Sequence, residues 1–148
     1  MKVVKSKVAL IVAIILVLIG LSACGSAEPV ELTNKAEWDN RTLELLNAEI
    51  DKETGLLKVH ATFTNGKEEP EYALACFAVR AFQNDTEINE AWEMVNEHNL
   101  TTEVKNEKSI DVIYFYQLVD MSPVEILIGS PTAEQTTIGK QTYTLENE

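Results

Sequence analysis

Leu57-Lys58-Val59-His60-Ala61-Thr62-Phe63-Thr64 alternates apolar with polar side chains without a break. A period of two belongs to the β-strand, because successive side chains leave a pleated backbone on opposite faces. Leu57, Val59, Ala61 and Phe63 are therefore predicted to face a core, and Lys58, His60, Thr62 and Thr64 to face water. Asn65-Gly66 then breaks the run with a turn-forming pair, and the break extends from Lys67 to Pro70.

Strand-like patterns continue on both sides of this stretch. Upstream, Leu43, Leu45, Asn47 and Glu49 lie on one side of a period-two run and Glu44, Leu46, Ala48 and Ile50 on the other, before a turn from Asp51 to Gly55. Downstream, Leu74 to Gln83 is almost wholly apolar, interrupted by Arg80, and is predicted to be a strand central in its sheet. Asn84-Asp85 turns the chain into Ile88, Ala91, Trp92 and Val95, whose spacing fits one amphipathic helix as well as it fits a short strand and loop. Leu100 to Ser109 is polar and irregular. Ile110 to Val119 is rich in β-branched and aromatic residues, as strands are. After a turn at Asp120 to Pro123, Val124, Ile126 and Ile128 alternate as the next strand, Gly129 to Pro131 closes it, and Gln141 to Leu145 supplies a last short one. Six or seven strands joined by turn-rich loops predict an all-β fold, a two-sheet sandwich.

The start of the 148-residue chain has another character. Lys2, Lys5 and Lys7 precede the unbroken apolar stretch Val8 to Ile19, and small residues follow, which is the layout of a secretory signal. The apolar span Val8 to Ala23 holds 16 residues, about 24 Å as a helix and short of the roughly 30 Å hydrocarbon core. At its end Leu21-Ser22-Ala23-Cys24 resembles the lipobox of bacterial lipoproteins. That resemblance implies a diacylglyceryl group on the Cys24 thiol and cleavage that leaves Cys24 N-terminal. Each buried methylene adds about 0.8 kcal/mol, so two or more acyl chains hold a protein on a bilayer where one does not. Membrane lipid is thus the expected partner of acylated Cys24, and the extracytoplasmic face of the cell membrane the expected location. Residues 1–23 read as signal peptide, 24–40 as lipidated N-terminus and flexible tether, and 41–148 as the sandwich domain, with Trp38 packing the tether's end onto it.

A second resemblance rests on Phe63-Thr64-Asn65, Pro70, Ala78-Val79-Arg80-Ala81-Phe82-Gln83-Asn84, and Tyr114-Phe115-Tyr116-Gln117-Leu118 followed by Pro123-Val124. This arrangement resembles the Ig-like domain of unknown function found in lipoproteins of Gram-positive bacteria, over most of residues 43–130. Asp85 is followed by Thr86 where that family has glycine. The resemblance implies an immunoglobulin-like β-sandwich of about seven strands on a lipid anchor, and implies no activity.

Charge narrows the partners. The chain carries 12 Lys and Arg against 24 Asp and Glu, and loss of the three leader lysines leaves 9 against 24, a net −15. Such a surface repels phosphate backbones, so nucleic acid is not an expected partner. Cys24 and Cys76 sit in unlike contexts, one after a long apolar run and one inside an apolar segment, so no disulfide is expected.

No catalytic motif surrounds His60 or His98, and Cys76, flanked by Ala75 and Phe77, lacks the neighbouring positive charge that makes a thiolate. Cysteine and histidine never fall at zinc-ligand spacing, and no calcium loop is present, so no metal or cofactor is expected. Glu68, Glu69 and Glu71, or Glu87, Glu90, Glu93 and Glu97, are the groups that would gather a cation, the second set sharing a face only if its segment is helical. Trp92, Phe82 and Tyr72 are the candidate aromatic contacts for a protein or cell-envelope partner. The expectation is a monomeric, non-catalytic binding or accessory module at the envelope; the alternatives are a divalent-cation-binding envelope protein and a small hydrolase.

Overall fold

In the strand Leu57–Asn65, here β3, Leu57, Val59, Ala61, Phe63 and Asn65 are buried and the residues between them half-exposed, as the alternation requires. Antiparallel neighbours flank it: β2 (Arg41–Ile50) on one side and β6 (Lys108–Tyr116) on the other, with β1 (Lys35–Trp38) beyond β2. The order of this sheet is β1-β2-β3-β6. A second antiparallel sheet contains β4 (Ala78–Gln83), β5 (Thr86–Ile88), β7 (Val124–Gly129) and β8 (Thr137–Tyr143), in the order β5-β4-β7-β8. The described residues thus form a β-sandwich of eight strands. The computed structural model describes residues 31–146, and all of these strands belong to the unit Leu32–Glu148. Leu21, Ser22, Ala23 and Cys24 lie outside the described residues, as do the signal peptide and residues 24–30 of the tether. Among the described residues no helix is long and apolar enough to cross a membrane.

The core lies between the inner faces. Leu43, Leu45, Val59, Phe63, Val112 and Tyr116 come from one sheet, and Ala81, Val124, Ile126 and Ile128 from the other, all of them fully or almost fully buried. Burying each such Val, Leu, Ile or Phe side chain contributes about 1.5–3 kcal/mol. Two contacts cross the core in specific geometry. Phe63 meets Phe77 edge to face at 6.3 Å between centroids, and Tyr116 Oη donates a hydrogen bond to the Val79 carbonyl at 3.1 Å.

Several elements depart from the sequence expectation for identifiable reasons. β1 occupies part of the stretch whose composition reads as tether, because Ala36 is buried and Trp38 packs on the core; one such pair is too short a signal to stand out from polar neighbours. In β2 the register passes from Leu45 opposite Ala61 to Ala48 opposite Val59, so two residues face His60 alone. This β-bulge moves the inward phase from Leu43 and Leu45 to Ala48 and Ile50, and leaves Leu46 51% exposed. The predicted strand from Leu74 begins only at Ala78, since Ala73–Cys76 forms a single helical turn, α1. Ala and Leu favour helix, no β-branched residue opposes it, and the turn carries the chain from the first sheet to the second. Asn84 and Asp85 both take left-handed φ, 49° and 61°, making a two-residue hairpin turn in which Thr86 is already strand, paired with Gln83. The segment that fitted both helix and strand is β5, then a loop holding one 3-10 turn, Trp92–Met94. β6 ends at Tyr116, where the chain turns off to reach Gln83, and β8 starts four residues before the predicted Gln141.

Both sides of the sandwich are closed. On one, Thr33 accepts a hydrogen bond from Lys140 N–H of β8 (2.7 Å) while Asn34 accepts one from Leu45 N–H of β2 (2.8 Å). Gly139 sits at this seam, where a Cβ would come within 2.9 Å of Ile128 Cδ1 and 3.1 Å of Ala36 Cβ. On the other side residues 89–99 run along the outer edge of β6.

Candidate functional site

A connected group of charged and polar side chains lies at the end of the sandwich where β1 turns into β2. Trp38 pairs with Arg41 across a two-residue turn, and Asp39 and Asn40 both adopt left-handed φ, 47° and 60°, which Asp and Asn tolerate better than other side chains. The turn sets Asp39 Oδ2 3.1 Å from Arg41 Nη1 and 2.9 Å from Lys67 Nζ. Arg41 Nη2 reaches Glu71 Oε1, thirty residues along the chain, and the Cys76 thiol donates to Glu71 Oε2 at 3.5 Å. Gly66 belongs to the same arrangement: its N–H donates to the Asn40 carbonyl, and a Cβ there would lie 2.3 Å from that oxygen.

Beneath the ion pairs sits Asn65, fully buried at the end of β3. Its Nδ2 donates to the carbonyls of Glu69 (2.8 Å) and Val104 (2.9 Å), and its Oδ1 accepts from Lys67 N–H (2.8 Å). The loop from Gly66 to Tyr72 is therefore tied from above by charge and from below by an amide. Open hollows of about 550 and 440 Å3 flank the Asn40–Gly66 contact, the first lined by Trp38, Asp39 and Arg41 and the second by Lys67, Glu68, Glu69 and Glu107.

The electrostatics follow from these contacts. The Lys67 ammonium, with Arg41, holds the Asp39 carboxyl below its usual range, and the Arg41 guanidinium does the same for Glu71. Burial, together with the Glu71 carboxylate, pushes the Cys76 thiol up to about 11, so at neutral pH it is protonated and donates rather than attacks. Physically, the grouping locks a loop against a turn.

The residues singled out from sequence are dispersed. His60 faces outward from β3 with Nε2 3.2 Å from Glu49 Oε1; His98 packs edge-on to Trp92 and accepts the Leu100 N–H at Nδ1 (3.0 Å). Glu87 is on β5, Glu93 in the 3-10 turn, and Glu90 and Glu97 in loops, so no helix face collects them. Of the other set, Glu71 turns to Arg41. Among the described residues no group of three or more His, Cys, Asp or Glu is placed to hold a metal ion. Tyr72 is 40% exposed beside α1, Phe82 lies on the outer face of the second sheet under the Arg80 guanidinium at 5.4 Å, and Trp92 packs against the core. They stand on three separate parts of the surface.

Sequence reasoning passed over Arg41, Asn65 and Gln83. Gln83, almost fully buried, ties down the loop after β6: its Nε2 donates to the carbonyls of Asp120 (3.0 Å) and Ser122 (2.9 Å), and its Oε1 accepts from Val119 N–H (2.8 Å). A signal for both amides was present, since each falls on the apolar phase of its strand, where a polar side chain survives only with its hydrogen bonds satisfied.

Residues 28–128 match a family model described as a domain of unknown function. The fold is similar to that of a protein described as a lipoprotein from Staphylococcus aureus subsp. aureus NCTC 8325, with a TM-score of 0.59 and 8% identity over 77% of this chain and 90% of that one. It is also similar to ycdA of Bacillus subtilis subsp. subtilis str. 168, likewise described as a lipoprotein, with a TM-score of 0.53 and 14% identity over 77% of this chain and 39% of that one. At such identities the likeness is one of fold. No curated protein matches the chain.

Proposed function

The chain belongs to the DUF5067 family of domains of unknown function, and from that premise we propose that it is a lipid-anchored lipoprotein of the cell envelope whose sandwich is a non-catalytic, Ig-like binding or accessory module. The observation that carries the reading is Cys24 at the end of Leu21-Ser22-Ala23-Cys24, directly after an apolar run of signal-peptide length. The two structural neighbours described as lipoproteins support it.

Support for the Ig-like part comes from strand order. β2-β3-β6 facing β5-β4-β7-β8 corresponds to the A-B-E and C′-C-F-G arrangement of immunoglobulin sandwiches, with β1 added outside the first. Support for binding rather than catalysis comes from the protonated Cys76 thiol and from histidines engaged by a carboxylate and a backbone amide. Loops held rigid at the ends of a sandwich are where such scaffolds present contact surfaces.

The test is intact-mass and membrane-fraction analysis of the full chain beside Cys24→Ala. The expected result is a membrane-bound chain that starts at Cys24 and carries a diacylglyceryl mass, with the variant unprocessed at that site. An unmodified Cys24 in the wild type would overturn the anchor and the module's place at the envelope.

A further inference from the structure

The segment Asn89 to Asn99 lies along the outer edge of β6 in the antiparallel sense but behaves as a strand with its middle missing. Gln117 N–H donates to the Asn89 carbonyl (2.9 Å) and Ala91 N–H to the Phe115 carbonyl (2.7 Å). Further along, Ile113 N–H donates to the His98 carbonyl (2.9 Å) and Asn99 Nδ2 to the Asp111 carbonyl (3.1 Å). Between Ala91 and His98 the segment leaves the edge for six residues, while β6 advances only from Phe115 to Ile113. A hollow of about 300 Å3 opens there, lined by Val95, Phe115, Lys58 and Thr54 among others. Most of the segment's apolar support is a small cluster apart from the main core, Leu56, Ala91 and Phe115 with Val95 and Ile113 half-buried around them, while Trp92 packs against the main core.

We propose that this strap is displaceable and that the β6 edge beneath it accepts an extended peptide as an added antiparallel strand. An uninterrupted strand would meet the edge continuously from Asp111 to Gln117, where the strap meets it only at two ends, and its side chains would fill the hollow over Phe115. Around that hollow Lys58 pairs with Asp51 at 3.2 Å, which leaves Glu53 and Glu97, on a strongly acidic chain, to favour a basic peptide over an acidic one. The inference rests on the binding-module reading and names its surface and kind of partner.

Hydrogen exchange on the full chain in detergent tests the first half. Ile113 and Gln117 amides, bonded to the strap, are expected to exchange at least about tenfold faster than those of Val112 and Tyr114, which face β3. Exchange in step would overturn the proposal, because the strap would then open only with the whole fold. The second half uses a synthetic peptide of sequence Leu57–Asn65, the natural antiparallel partner of β6. Its binding is expected to slow exchange at Ile113 and Gln117. Ala91→Pro removes the amide that holds Phe115 and misfits the φ of −134° there, so it is expected to strengthen peptide binding several-fold. A strap that opens in the wild type without peptide protection would also overturn the proposal, whatever the variant does. Cys24→Ala is expected to leave peptide binding unchanged, so loss of the anchor and loss of the edge site are read separately.

Discussion

The two ends of the sandwich are held by a shared device and differ in what is added to it. At one end Asn65, closing β3, ties the Gly66–Tyr72 loop; at the other Gln83, closing β4, ties the loop from Val119 to Ser122. Both are buried amides whose donors and acceptors are used on backbone groups, so each specifies one loop path by the cost of any other. The first end adds a network of ion pairs among Asp39, Arg41, Lys67 and Glu71, partly open to solvent, whereas at the second the Asp120 carboxylate is held by hydrogen bonds. The amides therefore set the loop geometry and the charges tune it, because an exposed pair is screened by water and a buried amide is not.

The strongest test removes the amides. Asn65→Ala and Gln83→Ala are each expected to cost about 2–4 kcal/mol in urea unfolding, since several buried partners lose their bonds at once. A clearly smaller loss at Asn65 would show instead that the ions share the load. Next comes Arg41→Met, expected to cost about 1–2 kcal/mol at low salt and less at high salt, whereas the Gln83→Ala cost stays constant. Equal salt dependence of the two variants would contradict the division of labour.

The smallest effect is in pH. Asp39 and Glu71 are held below their ordinary values of 3.8 and 4.5 in the fold, by Lys67 and Arg41 respectively. A carboxyl with a lowered folded-state pKa contributes stability that is present above its unfolded value and lost as pH falls through the folded one. Stability is therefore expected to decline from about pH 5 to about pH 3, and less steeply in Arg41→Met. Asp120, lowered by hydrogen bonds from Ser122, contributes a decline at the other end that Arg41→Met leaves intact.

How much of this was legible depends on the range of the forces involved. β3 and β7 were readable because alternation is a local signal, which β3 keeps from end to end and β7 keeps from Val124 to Ile128. β2 was readable as a strand but not in phase, since its bulge is fixed by pairing with β3, and an apolar Leu46 gives no hint that it faces water. α1 was hidden because Ala-Leu-Ala-Cys is as apolar as a buried strand, and only the need to cross between sheets decides for helix. The site was harder still. Arg41 and Glu71 lie thirty residues apart, and nothing in either neighbourhood announces the other. Asn65 and Gln83 were visible as polar residues on an apolar phase, but Asn65 read as part of a turn and Gln83 as the end of a strand, which concealed that both are fastenings.

The seam at Thr33 and Asn34 bears on how the domain carries a load. Adjacent residues are bonded to different sheets, Thr33 to Lys140 of β8 and Asn34 to Leu45 of β2, before β1 has begun. A pull applied at Leu32 meets both layers at once, and the tension divides between them instead of peeling one strand from its neighbour.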